Sequence, residues 1–213
     1  MRFTLATVLA VWATAQSIVA AAPTSSIHEL TETQLRNAVP KACVVSATKA
    51  ECSPPSKAVG LLNASFKKYD IASVGQQAAL IALMNFESGG FTYKTNLNPA
   101  NHGQGTYSQM QFPAIDSYVQ SIPALKTDYA ALKAANMPED QFKDAVLKLA
   151  NRDEYVFGAA AWYLKESGKC KQDVWDALNQ ATDAGFVKYI QCINTDPGPR
   201  MDNWHSAIQA LKA

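Results

Sequence analysis

Residues 78–91 read AALIALMNFESGGF. The run from Ala78 to Met84 is apolar on every side, so a helix formed here must be buried rather than amphipathic. The run ends at a glutamate, Glu87, and two glycines follow that can adopt the left-handed conformation found where helices stop. The sequence therefore predicts a buried central helix whose last turn carries a carboxyl group.

Glu87 is the candidate catalytic residue of the chain. Burial disfavours the charged form of a carboxyl group, and the partial negative charge at a helix C-terminus does the same. A carboxyl group that stays protonated near neutral pH is what a general acid requires. The alternative is that the Glu-Ser-Gly-Gly sequence only ends a helix.

The first 21 residues are typical of a secretory signal peptide. A single basic residue, Arg2, precedes an apolar run that is too short to span a membrane, and small residues follow it. Cleavage after Ala15 and cleavage after Ala21 both fit, and the second removes the whole apolar stretch. We therefore predict a secreted, extracellular protein, with residues 22–41 as a polar N-terminal arm or pro-segment and residues 42–213 as one domain.

The charge balance of the chain bounds its partners. Without residues 1–21 the chain has 18 basic and 18 acidic residues, because Arg2 is the one charged residue among them and the full chain has 19 and 18. A neutral chain gives no support to binding of nucleic acid or of anionic membranes. We expect a monomer with neither partner.

Four cysteines predict two disulfides in an exported chain. Three pairings are possible, and we favour local closure, Cys43 with Cys52 and Cys170 with Cys192, because the two pairs lie at opposite ends of the domain sequence. No Cys-x-x-Cys occurs and the three histidines are scattered, so neither a metal nor a cofactor is expected. Asn63 begins an N-glycosylation sequon.

Apolar residues at helical spacing predict further helices, and strand signals are confined to short pieces near Tyr93 and Tyr107. A polar loop, Thr92–Gly105, follows the central helix. The expected fold class is mainly α, α+β at most, with a small β-hairpin or irregular loop beside the helix that ends at Glu87. The other predicted helices cover Val59–Phe66, a start at Pro113 or Ala114, Glu139–Ala150, Glu154–Glu166, Gln172–Gln180, Ala184–Cys192 and Asn203–Leu211.

Two segments resemble the signature of the lysozyme-like superfamily, in particular soluble lytic transglycosylases and goose-type lysozymes. Glu87–Phe91, ESGGF, is similar to the helix-ending Glu-Ser of that family, and Gly105–Phe112, GTYSQMQF, is similar to its Gly-Ala-x-Gly-Leu-Met-Gln-Ile segment. Ser108 and Gln109 stand where the family usually has glycine and leucine. A third segment, Gly158–Leu164, is similar to a small-residue helix behind the family's active site. The resemblance implies a lysozyme-like single domain.

The resemblance also implies a reaction, cleavage of a β-1,4 bond next to an N-acetylated sugar with Glu87 as proton donor. Ordinary glycosidases need a second carboxylate about 5 to 9.5 Å away. No Asp or Glu lies between Glu87 and Asp116. A mechanism with one carboxylate, in which the substrate's own acetamido group or 6-hydroxyl is the nucleophile, avoids this difficulty and resembles that of lytic transglycosylases.

Amide and phenol groups near Glu87 are suited to hydrogen-bonding sugar hydroxyls and stacking on sugar rings, although any exposed loop is also rich in Asn and Gly. The predicted substrate-binding residues, several of them carried over from the resemblance, are Ser88, Asn98, Tyr107, Gln111, Tyr163 and Tyr189. The sequence thus predicts a secreted muramidase or lytic transglycosylase whose partner is a polysaccharide, most simply peptidoglycan. A chitinase or chitosanase is the nearest enzymatic alternative. A non-catalytic secreted protein that binds glycans or a host protein is the alternative from another class.

Overall fold

The computed structural model describes residues 26–43 and 51–213. The predicted signal peptide, residues 1–21, lies outside the described residues. None of the helices formed by the described part of the chain is long and apolar enough to cross a membrane. These residues form eleven α-helices: α1 Glu32–Ala38, α2 Pro55–Lys68, α3 Val74–Ser88, α4 Phe112–Gln120, α5 Lys126–Ala134, α6 Glu139–Ala150, α7 Asp153–Val156, α8 Gly158–Lys165, α9 Gln172–Asn179, α10 Asp183–Cys192 and α11 Met201–Lys212. Two short 3-10 helices, Pro123–Leu125 and Gly198–Arg200, precede α5 and α11.

The fold is mainly α, as predicted. Extended pairing in the described residues is limited to two isolated antiparallel bridges, which join Thr95 to Gly105 and Gly105 to Met110. Of the two forms predicted beside α3, a small β-hairpin or an irregular loop, the structure has the irregular loop. Within it Gly105 pairs with both Thr95 and Met110.

Helix α3 forms the centre of the molecule. Ser73 caps its start by accepting a hydrogen bond from the Gln76 amide at 3.2 Å. Every residue from Gly75 to Met84 is buried, and Gly89 ends the helix in the left-handed conformation at φ 60°. The apolar run thus forms the buried helix that its composition predicts, and it packs against α9 and α11.

Two glycines allow α9 to approach its neighbours closely. A Cβ atom on Gly75 of α3 would collide with the carbonyl oxygen of Leu178 in α9, and one on Gly185 of α10 would collide with the carbonyl oxygen of Ala177. Helix α9 is therefore held between two helix backbones at positions where no side chain fits.

The N-terminal segment differs from the prediction of a polar arm. Its described part includes α1, which packs against α2 and α11. Leu30, Leu35, Ala38 and Val39 are all buried in the common core. Four apolar residues among many polar ones give too weak a periodicity to predict this helix. Their burial nevertheless packs α1 against α2 and α11.

Two other elements differ from the sequence prediction. Helix α5 was not expected because it has no buried residue and so no apolar stripe. The helix expected over 154–166 is broken into α7 and α8 at Phe157. The Tyr118 hydroxyl donates to the Tyr155 carbonyl at 2.7 Å and the Ser65 hydroxyl to the Phe157 carbonyl at 3.2 Å. These side chains bond carbonyl groups that a continuous helix would have paired with its own amides.

Both disulfides close locally, which confirms the favoured pairing. Cys43–Cys52 and Cys170–Cys192 each join Cα atoms 5.6 Å apart. The second bond ties the chain before α9 to the last turn of α10. The first lies against the loop that follows α3, where the Cys43 amide donates to the Gly90 carbonyl at 3.0 Å.

Candidate functional site

Glu87 lies in the last turn of α3 and is paired with Arg200. Its Oε1 accepts a hydrogen bond from Arg200 Nε at 2.9 Å and a second, close one from Nη2. The Glu87 side chain is 19% exposed and that of Arg200 is 10% exposed. A guanidinium that donates twice stabilises the charged carboxylate. Glu87 is therefore one member of a largely buried ion pair and not a free carboxyl group at the end of the helix.

Arg200 is itself fixed from three sides. It is the last residue of the 3-10 helix before α11, and its Nη1 donates to the Asp196 carbonyl at 2.7 Å. Its guanidinium also lies 4.4 Å from the centroid of the Phe86 ring, which is 38% exposed. This is the geometry of a cation–π contact. We call Phe86, Glu87 and Arg200 the Glu87 patch.

Two of the predicted binding residues lie close to Glu87. Tyr189 of α10 is buried, and burial, followed by the charge of Glu87 and by Tyr163, raises the pKa of its phenol. Tyr163 of α8 is half-buried. Tyr189 is therefore a buried phenol that lies near enough to Glu87 and Tyr163 for their charges to act on it.

Ser88 and Tyr107 are used inside the fold. The Ser88 hydroxyl donates to the Met84 carbonyl at 2.6 Å and accepts from the Phe91 amide at 2.9 Å. Tyr107 is fully buried, and its hydroxyl contacts the Glu51 carbonyl at 2.6 Å. Burial raises the pKa of Tyr107 to about 12. Neither side chain is presented to a ligand on the surface of this structure.

Asn98 and Gln111 are exposed. The Asn98 Oδ1 accepts a hydrogen bond from the Ala100 amide at 3.0 Å, which is a local turn contact. Gln111 precedes the first residue of α4, and its side chain makes no capping hydrogen bond to that helix. Within the described residues, neither side chain hydrogen-bonds to Glu87.

The loop after α3 is fastened at both ends by carboxylates that the sequence did not single out. Glu51 accepts from the Lys94 amide at 3.2 Å and from the Thr95 hydroxyl at 2.6 Å. Asp144 of α6 contacts His102 Nδ1 at 2.8 Å and accepts from the Gly103 amide at 3.0 Å. Partial burial opposes the charge on Asp144, but the hydrogen bonds from His102 and Gly103 prevail and lower its pKa.

The predicted glycosylation residue, Asn63, is engaged in the fold. Its Oδ1 accepts from the Leu30 amide at 3.0 Å, and its Nδ2 donates to the Leu30 carbonyl at 2.8 Å. Both polar atoms of the amide thus attach the segment before α1 to α2. Among residues 26–43 and 51–213, no group of three or more His, Cys, Asp or Glu side chains could hold a metal ion.

The residue that sequence reasoning missed is Arg200. It lies 113 positions from Glu87 in the chain. A single arginine before a terminal helix carries no local signal of a carboxylate partner. Only the packing of α11 against α3 reveals it.

The fold and the site define a mainly helical domain with two disulfides, in which a glutamate at the end of the central helix is paired with an arginine. The chain is similar to the bifunctional dioxygenase (DOX)-epoxy alcohol synthase (EAS) of Fusarium oxysporum strain Fo5176. The two are 38% identical over 158 residues, which are 73% of this chain and 12% of the relative. The chain therefore spans about an eighth of the length of that curated relative. No family model matches the chain, and no solved structure matches it.

This similarity overturns the predicted function. The relative is a dioxygenase and epoxy alcohol synthase, which is an enzyme of a different class from a glycosidase. The prediction of a muramidase or lytic transglycosylase is wrong, and so are its chitinase and chitosanase alternatives.

Proposed function

We propose that this chain is a helical accessory module for fatty-acid oxygenation, a module that binds and positions rather than one that oxygenates. The observation that carries the proposal is the extent of the similarity, 73% of this chain against 12% of a relative named for two catalytic activities. The simplest division of labour places both activities in the much larger part of the relative that this chain does not match.

The Glu87 patch supports a binding role. Among the residues that the structure describes, Phe86 is one of two large apolar side chains that are exposed. Glu87 and the Asp196 carbonyl hold Arg200 against the Phe86 ring. Aromatic and arginine side chains are the commonest anchors of protein interfaces, and anchors fixed in advance lose little entropy on binding. In our proposal this patch contacts the oxygenase polypeptide.

The test exchanges segments in the Fusarium relative. One variant lacks the 158 matched residues, and a second carries the corresponding segment of this chain in their place. Product formation from a polyunsaturated fatty acid is measured for the relative, both variants and this chain alone. We expect no turnover by this chain alone, a reduced catalytic efficiency after deletion, and recovery in the exchanged protein.

Two outcomes would contradict the proposal. Unchanged catalytic efficiency after deletion would mean that the segment has no part in oxygenation. Turnover by this chain alone would mean that it carries the chemistry itself. Replacing the segment with one in which Phe86, the exposed member of the patch, is changed to Ala tests the patch, and we expect that protein to behave like the deletion.

We also propose that the helices of this chain are arranged as in lysozyme-like proteins, without the glycosidase activity of that superfamily. Support comes from the buried α3 that ends at Glu87 and from the loop that crosses itself at Thr95, Gly105 and Met110 beside it. A fold does not by itself define a function. An experimental structure in which the helices around α3 follow another order than in lysozymes would contradict this assignment.

We also propose export from the cell. The disulfides Cys43–Cys52 and Cys170–Cys192 support it, because such bonds persist mainly in oxidising compartments. Expression of the full chain in a fungal host and mass measurement of the protein in the medium tests it. We expect a chain that lacks residues 1–21, and retention of the intact chain inside the cell would contradict the proposal.

A further inference from the structure

A cleft lies beside the N-terminal end of α3, whereas Glu87 lies at the C-terminal end of that helix. It has a volume of about 450 Å³, and Gln76 from the first turns of α3 lies in its wall. Gln76 and Glu87 are eleven positions apart, which is about 16 Å along a helix axis at 1.5 Å per residue. The cleft is therefore separate from the Glu87 patch. The side chains that define its chemistry are Asp70, Gln76, Lys165, Trp175 and Asn179.

Gln76 presents a buried acceptor that the described protein leaves unpaired. The residue is 3% exposed, and its Nε2 donates to the Trp175 carbonyl at 3.5 Å. Its Oε1 has no hydrogen-bond partner among the described residues. Buried polar atoms are almost always paired, and an unpaired one destabilises the fold. This oxygen is closed off from solvent, so Gln76 forms part of the wall of the cleft and its Oε1 is not counted among the groups that contact a ligand.

Two opposite charges face the same cleft. Neither Asp70 nor Lys165 has an ion-pair partner within 4.0 Å in the part of the chain that the structure describes, and they are not paired with each other. Lys165 Nζ lies 4.7 Å from the centroid of the Trp175 ring. Partial burial lowers the pKa of Lys165, although the charges of Asp70 and Asp176 act in the opposite direction.

We propose that this cleft binds a zwitterionic compound with an ammonium group and a carboxylate, of the size of an amino acid or a dipeptide. The ammonium group is held by Asp70, and the carboxylate is held by Lys165. A ligand with only a negative charge would be repelled by Asp70, and one with only a positive charge by Lys165. The volume lies in the range of small-molecule sites.

This inference does not rest on the proposed function, since it concerns other residues and another ligand. Its test is a titration of the isotope-labelled full chain with L-alanyl-L-alanine, followed by heteronuclear NMR. We expect saturable shifts of the Gln76 and Lys165 amides and of the Trp175 indole N–H. Two matched probes each lack one charge, N-acetyl-L-alanyl-L-alanine and L-alanyl-L-alanine amide. Both should bind at least about tenfold more weakly, as expected when a charged hydrogen-bond partner is lost.

Variants identify the groups that hold the ligand. Asp70→Asn and Lys165→Met should each weaken binding of the dipeptide about tenfold. The matched exposed controls Asp202→Asn and Lys212→Met, both on α11, should leave it unchanged.

Three results would overturn the inference. The first is a lack of saturable shifts at dipeptide concentrations up to about 50 mM, because a dissociation constant above that value corresponds to less than about 2 kcal/mol of binding free energy. The second is equal binding of the acetylated or amidated probe. The third is equal binding by Lys165→Met and Lys212→Met.

Discussion

Arg200 and Glu87 depend on each other because each charge is largely removed from water. Arg200→Met leaves the Glu87 carboxylate, 19% exposed, without a partner. Removing one member of a buried pair costs about 3 to 5 kcal/mol. We expect about 2 to 4 kcal/mol here, since Glu87 keeps some contact with water. Urea unfolding of the variant and the parent protein measures the difference.

The control for this prediction is Arg200→Met combined with Glu87→Gln. A neutral amide loses less on burial than a carboxylate, so the double variant should regain part of the lost stability. If Arg200→Met alone lowers the free energy of unfolding by less than about 0.5 kcal/mol, the value of a weak surface pair, the pair is not the structural contact described above.

At the scale of elements, the contact between α3 and α9 depends on the missing side chain of Gly75. Gly75→Ala places a methyl group against the Leu178 carbonyl, so one helix must move. Overpacking of this kind costs about 1 to 3 kcal/mol. Gly60→Ala, in α2, is the matched control, because nothing lies within 4 Å of the added Cβ.

In thermal unfolding experiments, Gly75→Ala should lower the stability of the protein and Gly60→Ala should raise it. Gly60→Ala should raise stability by about 0.5 to 1 kcal/mol, since alanine is the better helix former and its unfolded chain has less entropy. A loss of stability in both variants would mean that the loss reflects replacement of glycine in a helix and not the approach of α9.

The attachment of the loop after α3 to α6 should depend on pH. The pKa of Asp144 is lowered in the folded protein, where His102 and Gly103 donate to the carboxylate. A lowered folded-state pKa contributes stability that is present above the unfolded pKa, about 3.9, and is lost as the pH falls through the folded value. Between about pH 5 and pH 3, the melting temperature should therefore fall more for the parent protein than for Asp144→Asn. Parallel curves for the two proteins would contradict this role of Asp144.

Across the whole molecule, local patterns were predictable and distant partners were not. The all-apolar run of α3 identifies a buried helix, and the 3.6-residue spacing in α6 identifies a helix with one buried face, because both signals lie within a short stretch of sequence. Helix α5 has no fully buried residue and therefore shows no such pattern. Arg200 reaches Glu87 from the far end of the chain, and no local rule reports that contact. The predicted function is wrong because it rests on short motifs around Glu87, whereas the similarity to the Fusarium relative extends over 158 residues.

The N-terminal helix should be indispensable to the whole fold. Deleting residues up to 41 removes α1 and exposes the core surfaces of α2 and α11 that it covers. It also leaves Asn63 without the Leu30 backbone groups that it bonds. We expect the truncated protein to lose its cooperative thermal transition, as measured by circular dichroism. A truncated protein that melts at the parent temperature would restore the view of this segment as a detachable arm.

The packing of α1 against α11 brings distant parts of the chain side by side, and Gln34 Nε2 donates to the Leu211 carbonyl at 3.3 Å. The geometry of these two helices closes the domain on itself, because a helix from one end of the described chain is held by a helix from the other end.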